Sequence, residues 1–564
     1  MKNNKKWKSK SETTPLDVKD CYQELLNIRN LNQDWFNNST SLKDLLKTPQ
    51  DLGIDKENLT KALKILKDLK KSKKGIVIHG DYDVDGITST QILRKLFINL
   101  GVSKEQIECF IPNRFDHGYG FSNESLEHIS NNLNVKEYPL IVLVDCGIKS
   151  VEQVKRAKKL GYRIIIIDHH GKGKKLPKSD ALFWTDKLTA AAISYFFKKY
   201  IEISINKNTK LKDTLDLATL GYICDLGNLN SKVGYTLTKE GIDYLRTGEN
   251  IGINSILKIN DTESKNISSY HVGWVIGPRI NAAGRLEDGV KSLNLLNESD
   301  ESTALSIAQD LEDTNKERQN KTKEMLDEAI TGISNGTYTG KEQEEKACII
   351  DSKNFNEGII GLVSARVVQI LNKPTFTVSW DENGDGKGSS RSIENFNVTK
   401  ALEYCKEFLE GYGGHEMAAG FSLKKKNFNK FKTCLLEYCG KNLSQEDLVP
   451  TIKYDFLVSE DFLQSELMEL IETLEPFGNK NPKPVFLIKN VVPKDIKTMG
   501  KDNTHIKFLT SGGKECVYFN GAKYEEHLNQ SENGFDILFN FDKNVWNDRV
   551  YLKLMVKEIR PSEF

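Results

Sequence analysis

Hydrophobic positions fall into a few short continuous runs and a few helical stripes, and their order along the chain predicts the architecture. Nearly continuous, β-branched apolar runs at 75–78, 138–144 and 162–167 read as buried strands. Between the second and third, Val151, Val154, Ala157 and Leu160 are spaced for one face of a helix over 151–160. The order strand, helix, strand implies a parallel sheet. Upstream, a polar, lysine-rich start gives way to helices, with Leu59, Leu63, Leu66 and Leu69 on one face; a basic arm is the functional alternative for that start. A helix over 211–220 leads to Cys224 and Asp225. A highly charged helix over 298–331 carries Ala304, Ala308, Leu311, Met325 and Ala329 inward, with a polar middle at Asn315 and Arg318. Strands at 347–350 and 375–378 flank a helix over 361–371, and short apolar runs at 485–488, 506–509, 535–539 and 550–554, separated by polar turns, predict a small β-barrel. The division expected is an N-terminal helical extension (1–74), a parallel-sheet α/β domain (75–257), a connector with the long helix (258–332), a smaller α/β domain (333–447) and the barrel (448–564).

The carboxyl ends of the first three strands change the picture from packing to chemistry. The first runs into His79-Gly80-Asp81-Tyr82-Asp83-Val84-Asp85-Gly86, the second into Asp145-Cys146-Gly147 and the third into Asp168-His169-His170. Residues beyond the carboxyl ends of parallel strands line the crevice where open α/β sheets bind ligands. A single Asp-Gly is an ordinary turn; three acid- or imidazole-bearing ends on one sheet edge are not. At an effective dielectric near 20, two carboxylates about 4 Å apart repel by about 4 kcal/mol, and several such pairs would rival a domain's whole stability of roughly 5–15 kcal/mol. Convergence of these groups therefore requires a cation. Hard carboxylate oxygens mixed with imidazoles suit Mn2+ or Mg2+, and the histidines favour Mn2+.

Composition bounds the rest. At 564 residues the chain exceeds a single core and suggests three or four domains. No run approaches the roughly 20 apolar residues of a membrane span, and residues 1–10 are lysine-rich without the apolar segment of a secretory signal, so a cytoplasmic location is expected. Nine scattered cysteines without a Cys-x-x-Cys pair argue against a disulfide framework or zinc cluster and predict reduced, mostly buried thiols. A net charge of +1 means that any nucleic-acid surface is a local patch.

The three strand-end motifs resemble those of the DHH phosphoesterase superfamily. Pro112-Asn113-Arg114 with Gly118-Tyr119-Gly120, the run 277–285 (Gly-Pro-Arg-Ile-Asn-Ala-Ala-Gly-Arg), Gly388-Ser389-Ser390-Arg391-Ser392, Gly413-Gly414-His415 and Leu474-Glu475-Pro476-Phe477-Gly478 narrow the resemblance to the RecJ family of single-strand-specific exonucleases. It extends from about residue 25 to the end of the sequence. It implies a parallel-sheet DHH domain joined by a long helix to a smaller DHH-associated domain, followed by an OB-fold.

The resemblance also implies roles for particular residues. His79, Asp83 and Asp145 would hold one divalent cation and Asp85, Asp145, His169 and Asp225 a second, with Asp145 bridging and His170 aimed at the scissile phosphate. Asp81 and Asp168 are expected to turn away from the ligands by strand alternation. Arg114, Arg279, Arg285, Ser389 and Arg391 would recognise the 5′-terminal phosphate or nearby backbone, with His415 touching substrate from a glycine-rich turn. Phe115, Tyr119 and Phe421 are candidates for base stacking. The implied activity is 5′ to 3′ hydrolysis of single-stranded DNA to mononucleotides in repair or recombination, by a monomer working beside a single-strand-binding protein and a helicase.

Some positions depart from the family pattern: Leu188-Thr189-Ala190-Ala191-Ala192 replaces a glycine-containing helix start, Ser390 replaces a small glycine, and the loop after Cys224-Asp225-Leu226-Gly227 is a variant. Ser390 bears on the geometry of the phosphate pocket. Two other readings stand beside the exonuclease. A phosphodiesterase for short oligonucleotides or cyclic dinucleotides would not require the barrel, and an inactive scaffold would not require a repulsive carboxylate set.

Overall fold

The computed structural model describes all residues except 1–4, 32–33, 115, 206–209, 343, 531–533, 547–548 and 563–564. The chain divides into two units, one comprising Met1–Pro112, Tyr119–Gly277 and Thr451–Phe564, the other Asn113–Gly118 and Pro278–Pro450.

The first unit is built on a five-stranded sheet in the spatial order Ile107–Phe110, Ile76–His79, Leu140–Val144, Arg163–Asp168, Ala181–Trp184. Every pairing is parallel, so all carboxyl ends lie on one edge. Alternation along the strands sends Val77, Ile141, Leu143, Ile164 and Ile166 to one face, where they pack against Leu126 and Ile129 of helix Asn123–Asn132 and Val154 and Ala157 of helix Val151–Lys159. Helices Val84–Asn99, Ala190–Ser204 and Leu215–Cys224 pack on one another, and the first two also touch the sheet. Contact between the last two is close: a Cβ on Gly221 would lie 2.4 Å from the Ala191 Cβ and 2.6 Å from Asp85 Oδ1.

The same unit contains the C-terminal domain, a seven-stranded sheet from Phe456–Leu457 to Arg549–Pro561. Its core of Phe456, Phe486, Phe508, Phe535, Ile537, Phe539 and Leu554 is completed by Cys21, Leu25 and Leu26 of helix Val18–Ile28. Lys6–Ser9, expected only as a polar start, pairs in parallel with Thr451–Tyr454. Buried Arg29 reaches Asp455 at 3.2 Å. In helix Lys56–Ser72 the fully buried stripe is Ala62, Ile65, Leu66 and Leu69, with Leu59 and Leu63 half-buried at its margin.

The second unit begins with the 34-residue helix Glu301–Ser334, preceded by Gly277–Leu286 and Val290–Asn297. Its sheet runs in the order Gly411–His415, Ala418–Lys424, Asp385–Arg391, Thr375–Trp380, Cys348–Ser352. Helix Ile360–Leu371 packs on two of these strands and on the long helix. Asp385–Arg391 and Gly411–His415 both pair antiparallel with Ala418–Lys424, so the glycine-rich turn expected at 413–415 is strand. Among the described residues no helix is long and apolar enough to cross a membrane. All nine cysteines are free thiols, six of them buried.

Candidate metal centre and arginine cluster

The loop after strand Ile76–His79 turns at once into a helix. Asp83 caps it, accepting the Gly86 N–H at 3.0 Å. A Cβ at Gly86 would lie 2.5 Å from the Asp81 nitrogen, so the tight return of the chain requires glycine there. The Asp85 carboxylate accepts two backbone N–H groups, Ala190 at 2.7 Å and Ala191 at 2.9 Å, at the start of helix Ala190–Ser204. The alanine-rich replacement noted in the sequence leaves this anchoring intact, because it uses backbone rather than side chains.

Asp145 stands just past the second strand with φ +59°, a left-handed conformation uncommon for a residue with a Cβ. Its N–H still continues the ladder to the Ile167 carbonyl at 3.0 Å. His169 Nε2 lies 3.2 Å from Asp145 Oδ1, 3.3 Å from Asp225 Oδ2 and 3.8 Å from Asp85 Oδ2. Asp225 arrives from the C-terminus of helix Leu215–Cys224, as the sequence predicts. Three groups of potential ligand atoms result: Asp81, Asp83 and Asp145; Asp85, His169 and Asp225; and Asp145, His169 and His170, each within 4.8 Å. Asp145 and His169 link them into one cluster.

Asp81 is the correction to the sequence reading. The strand ends at His79, so alternation no longer governs Asp81, and its buried carboxylate sits with those of Asp83 and Asp145. His79, by contrast, belongs to none of the three groups among the described residues. Its buried ring lies against Phe110 and Phe121 with Nδ1 3.6 Å from Cys146 Sγ, leaving Nε2 on the opposite edge of the ring. Asp168 keeps its expected structural role: Oδ1 accepts the His169 and His170 N–H groups and Oδ2 that of Ile148.

His170 is held on three sides. Nδ1 is 2.8 Å from Asp168 Oδ1, Nε2 is 2.8 Å from the Tyr119 hydroxyl, and its carbonyl accepts the Trp184 indole N–H at 2.8 Å. Burial pulls its pKa down, but the Asp168 hydrogen bond and charge outweigh that and leave it raised. Among the acids, burial and then Asp83 push Asp85 up to about 7, and burial and then Asp85 push Asp225 up to about 9. Burial, followed by Asp85, Asp83, Asp81 and Asp225, drives Asp145 well above the carboxylate range. Asp145 Oδ1 is buried and, among the described residues, accepts no hydrogen bond despite the nearby imidazole. Hard oxygens crowded in this way, with one lacking any protein donor, fit divalent cations.

The second unit gathers guanidinium groups. Arg114 and Arg285 both donate to the Gly358 carbonyl, at 3.2 and 3.4 Å. Arg279 pairs with Glu312 at 2.7 Å. Arg391 donates to Ser389 Oγ and the Ser390 carbonyl, and both Arg391 and Ser389 crowd Gly361 in the first turn of helix Ile360–Leu371, where a Cβ would meet Arg391 Nη2 at 2.9 Å. The Ser390 hydroxyl points the other way and bonds the Ala419 carbonyl, so this departure does not enter the Ser389–Arg391 face.

Two arginines missing from the sequence prediction join the cluster. Burial, then the charges of Arg279 and Arg366, lower the Arg318 pKa, so the three guanidiniums are neighbours. Among the described residues Arg318 Nε has no hydrogen-bond partner, nor does either amide atom of fully buried Asn315, one turn earlier on the long helix. The polar middle of that helix was the available signal. His415 is not in a turn but ends an exposed edge strand, opposite Ala418, which is in turn opposite Arg391. Two strand spacings, about 10 Å, separate His415 from Arg391 on that face. Phe421 is a core residue, Tyr119 is exposed beside His170, and Phe115 lies outside the described residues.

Comparison with known proteins identifies the same domains along the chain. Residues 75–222 match the DHH family, N-terminal domain, residues 344–441 the DHHA1 domain and residues 454–558 the RecJ OB domain. The single-stranded-DNA-specific exonuclease RecJ of Bacillus subtilis (strain 168) is 31% identical over 500 residues, covering 87% of this chain and 62% of the relative. The chain thus spans 62% of that relative's length. RecJ from Thermus thermophilus, crystallised in complex with Mn2+, superposes with a TM-score of 0.82 at 23% identity, covering all of this chain and 81% of that one. A structure of exonuclease RecJ bound to manganese is 27% identical, with a TM-score of 0.58, covering 69% of this chain and 98% of that one.

Proposed function

We propose, from the premise that this chain belongs to the RecJ family of the DHH phosphoesterases, that it is a metal-dependent exonuclease removing 5′-mononucleotides from single-stranded DNA in the 5′ to 3′ direction. The observation that carries this reading is the convergence of Asp81, Asp83, Asp85, Asp145, His169 and Asp225 at the carboxyl edge of one parallel sheet. In this reading His79, Asp83 and Asp145 hold one cation and Asp85, Asp145, His169 and Asp225 the second, with Asp81 close enough to take part. The bound cations, Mn2+ or alternatively Mg2+, supply an activated water and charge stabilisation for in-line displacement at phosphorus.

The side chains contribute the remainder. Asp168 fixes the His170 imidazole through Nδ1, so Nε2 faces the Tyr119 hydroxyl and the space beside the carboxylates. The Asp168 hydrogen bond and charge favour the protonated imidazole, and with Nδ1 engaged His170 is placed to donate from Nε2 toward a phosphate oxygen. Arg114, Arg279, Arg285, Ser389 and Arg391, now with Arg318 and Arg366, supply the forked donors that suit a terminal phosphate. Recognition of that end group gives the 5′ polarity. The OB domain adds a surface for the following strand. Work in cytoplasmic DNA repair and recombination, as a monomer beside a single-strand-binding protein and a helicase, completes the proposal.

Purified chain with Mn2+ and single-stranded DNA labelled at either end tests it. Immediate release of labelled mononucleotide from the 5′ end, with gradual shortening of the 3′-labelled strand, is expected. Attack confined to dinucleotides, or none at all, would overturn it.

A further inference from the structure

The crossover from strand Arg163–Asp168 to strand Ala181–Trp184 leaves the metal edge of the sheet immediately after His170, and its sequence is Gly171-Lys172-Gly173-Lys174-Lys175-Leu176-Pro177-Lys178. All four lysines are exposed. The nearby acid Asp180 is already engaged, bridging Lys158 at 2.9 Å and accepting the Ile164 N–H at 2.7 Å. Among the described residues, none of these four lysines forms an ion pair. A fifth cation joins from the loop after Asp145: a Cβ at Gly173 would lie 3.9 Å from the Lys149 Cγ, so the Lys149 stem runs along the crossover. Two of the loops that carry acidic or imidazole groups at the centre therefore each send lysine to one place.

This rim is coupled to the centre through Trp184. Lys172 Nζ sits 3.4 Å from the centroid of the Trp184 ring, and the same ring donates its N–H to the His170 carbonyl. The cation is thus held over an aromatic face one step from the imidazole, rather than swinging freely in solvent. Lysines free of ion pairs, with compact ammonium heads, bind backbone phosphate by displacing counterions and carry no sequence information. In a chain whose net charge is only +1, such a concentration is local.

We propose that Lys149, Lys172, Lys174 and Lys175 form a phosphate-binding rim that holds the backbone of single-stranded DNA flanking the scissile bond, setting affinity for long strands without entering the chemistry. The proposal rests on the exonuclease reading for its ligand. The rim acts uniformly on sequence, because its contacts are ionic, and its contribution grows with the number of backbone phosphates a strand presents, so it counts least for a dinucleotide.

The test compares the intact chain with a Lys172→Gln, Lys174→Gln, Lys175→Gln variant. Binding of a long oligothymidylate is measured by fluorescence anisotropy across a salt series in EDTA, so that no strand is cut. Each lysine contributes about 0.7 to the salt slope on a single strand, so the slope of log Kd against log salt should become shallower by about 2. With Mn2+ present, KM for the long strand should rise several-fold at unchanged kcat, and dinucleotide hydrolysis should be affected much less. An identical salt slope, or a fall in kcat at unchanged KM, would overturn the rim. If the intact chain binds the strand but cuts nothing, the exonuclease reading fails while the slope comparison still decides the rim.

Discussion

The carboxylates of the first unit come from adjacent loops at one sheet edge and are left facing one another, whereas the arginines of the second come from distant segments and several are held by protein oxygens. Arg114 and Arg285 share the Gly358 carbonyl, Arg279 has Glu312, and Arg391 has the Ser390 carbonyl. Asp145 has no such relief: among the described residues its Oδ1 accepts no hydrogen bond, and its backbone occupies the left-handed region. The acidic centre is therefore under tension until a cation enters, while the arginine cluster is largely preorganised for an anion. One site is completed by its ligand and the other mainly selects it.

The largest test of this contrast is Asp145→Gly. Glycine adopts φ +59° without strain and removes a buried carboxyl group whose Oδ1 accepts no hydrogen bond among the described residues, so the metal-free chain should gain about 1–3 kcal/mol of stability in a denaturant titration. Hydrolysis should fall by at least about 10³-fold, because the group linking two ligand sets is lost. A destabilised variant would mean that the carboxylate is not under tension. Next, Arg391→Ala should lower kcat/KM on 5′-phosphorylated strands by about 10–100-fold, the worth of a charge-assisted bond. The variant and parent should converge on 5′-hydroxyl strands; an equal loss on both would remove Arg391 from end recognition.

Titration sharpens the comparison further. Asp85 and Asp225 have folded pKa values raised from 3.8 to about 7 and about 9, so the metal-free fold retains protons that the unfolded chain releases. Their contribution to stability is full below about pH 4 and is lost as pH rises through about 7 and then about 9. Because cations bind the deprotonated carboxylates, Mn2+ affinity measured by calorimetry should rise by up to about tenfold per pH unit for each proton displaced. A pH-independent affinity would contradict the raised values. The smallest expected effect is that of Arg318→Met, which removes a half-buried charge lying beside Arg279 and Arg366. Stability should change by less than about 1 kcal/mol or increase, with affinity for phosphorylated strand ends reduced about tenfold.

The acidic centre is legible in the sequence because β-branched runs ending in Asp or His fix both the strands and the edge on which those residues stand. Asp81 escapes that logic because alternation stops where the strand does, two residues before it. The smaller sheet is harder to read: Gly386, Gly388, Gly413 and Gly414 carry turn character, and only pairing with Ala418–Lys424 makes them strand. Arg366 is hidden by its surroundings, since charged residues on helices ordinarily face water, whereas Arg318 stands out in the sequence only as part of the long helix's polar middle. The N-terminal strand, four residues long, gains its order from Thr451–Tyr454 at the far end of the sequence.

That last pairing has a consequence in time. Helix Val18–Ile28 supplies part of the OB core, and Arg29 meets Asp455 across a separation of 426 residues. At a synthesis rate of about 5–20 residues per second, roughly 20–90 s pass between the emergence of the two partners from the ribosome. Throughout that interval Cys21, Leu25 and Leu26 have no barrel to enter, so the early helix is a natural client for a chaperone until the final domain is made.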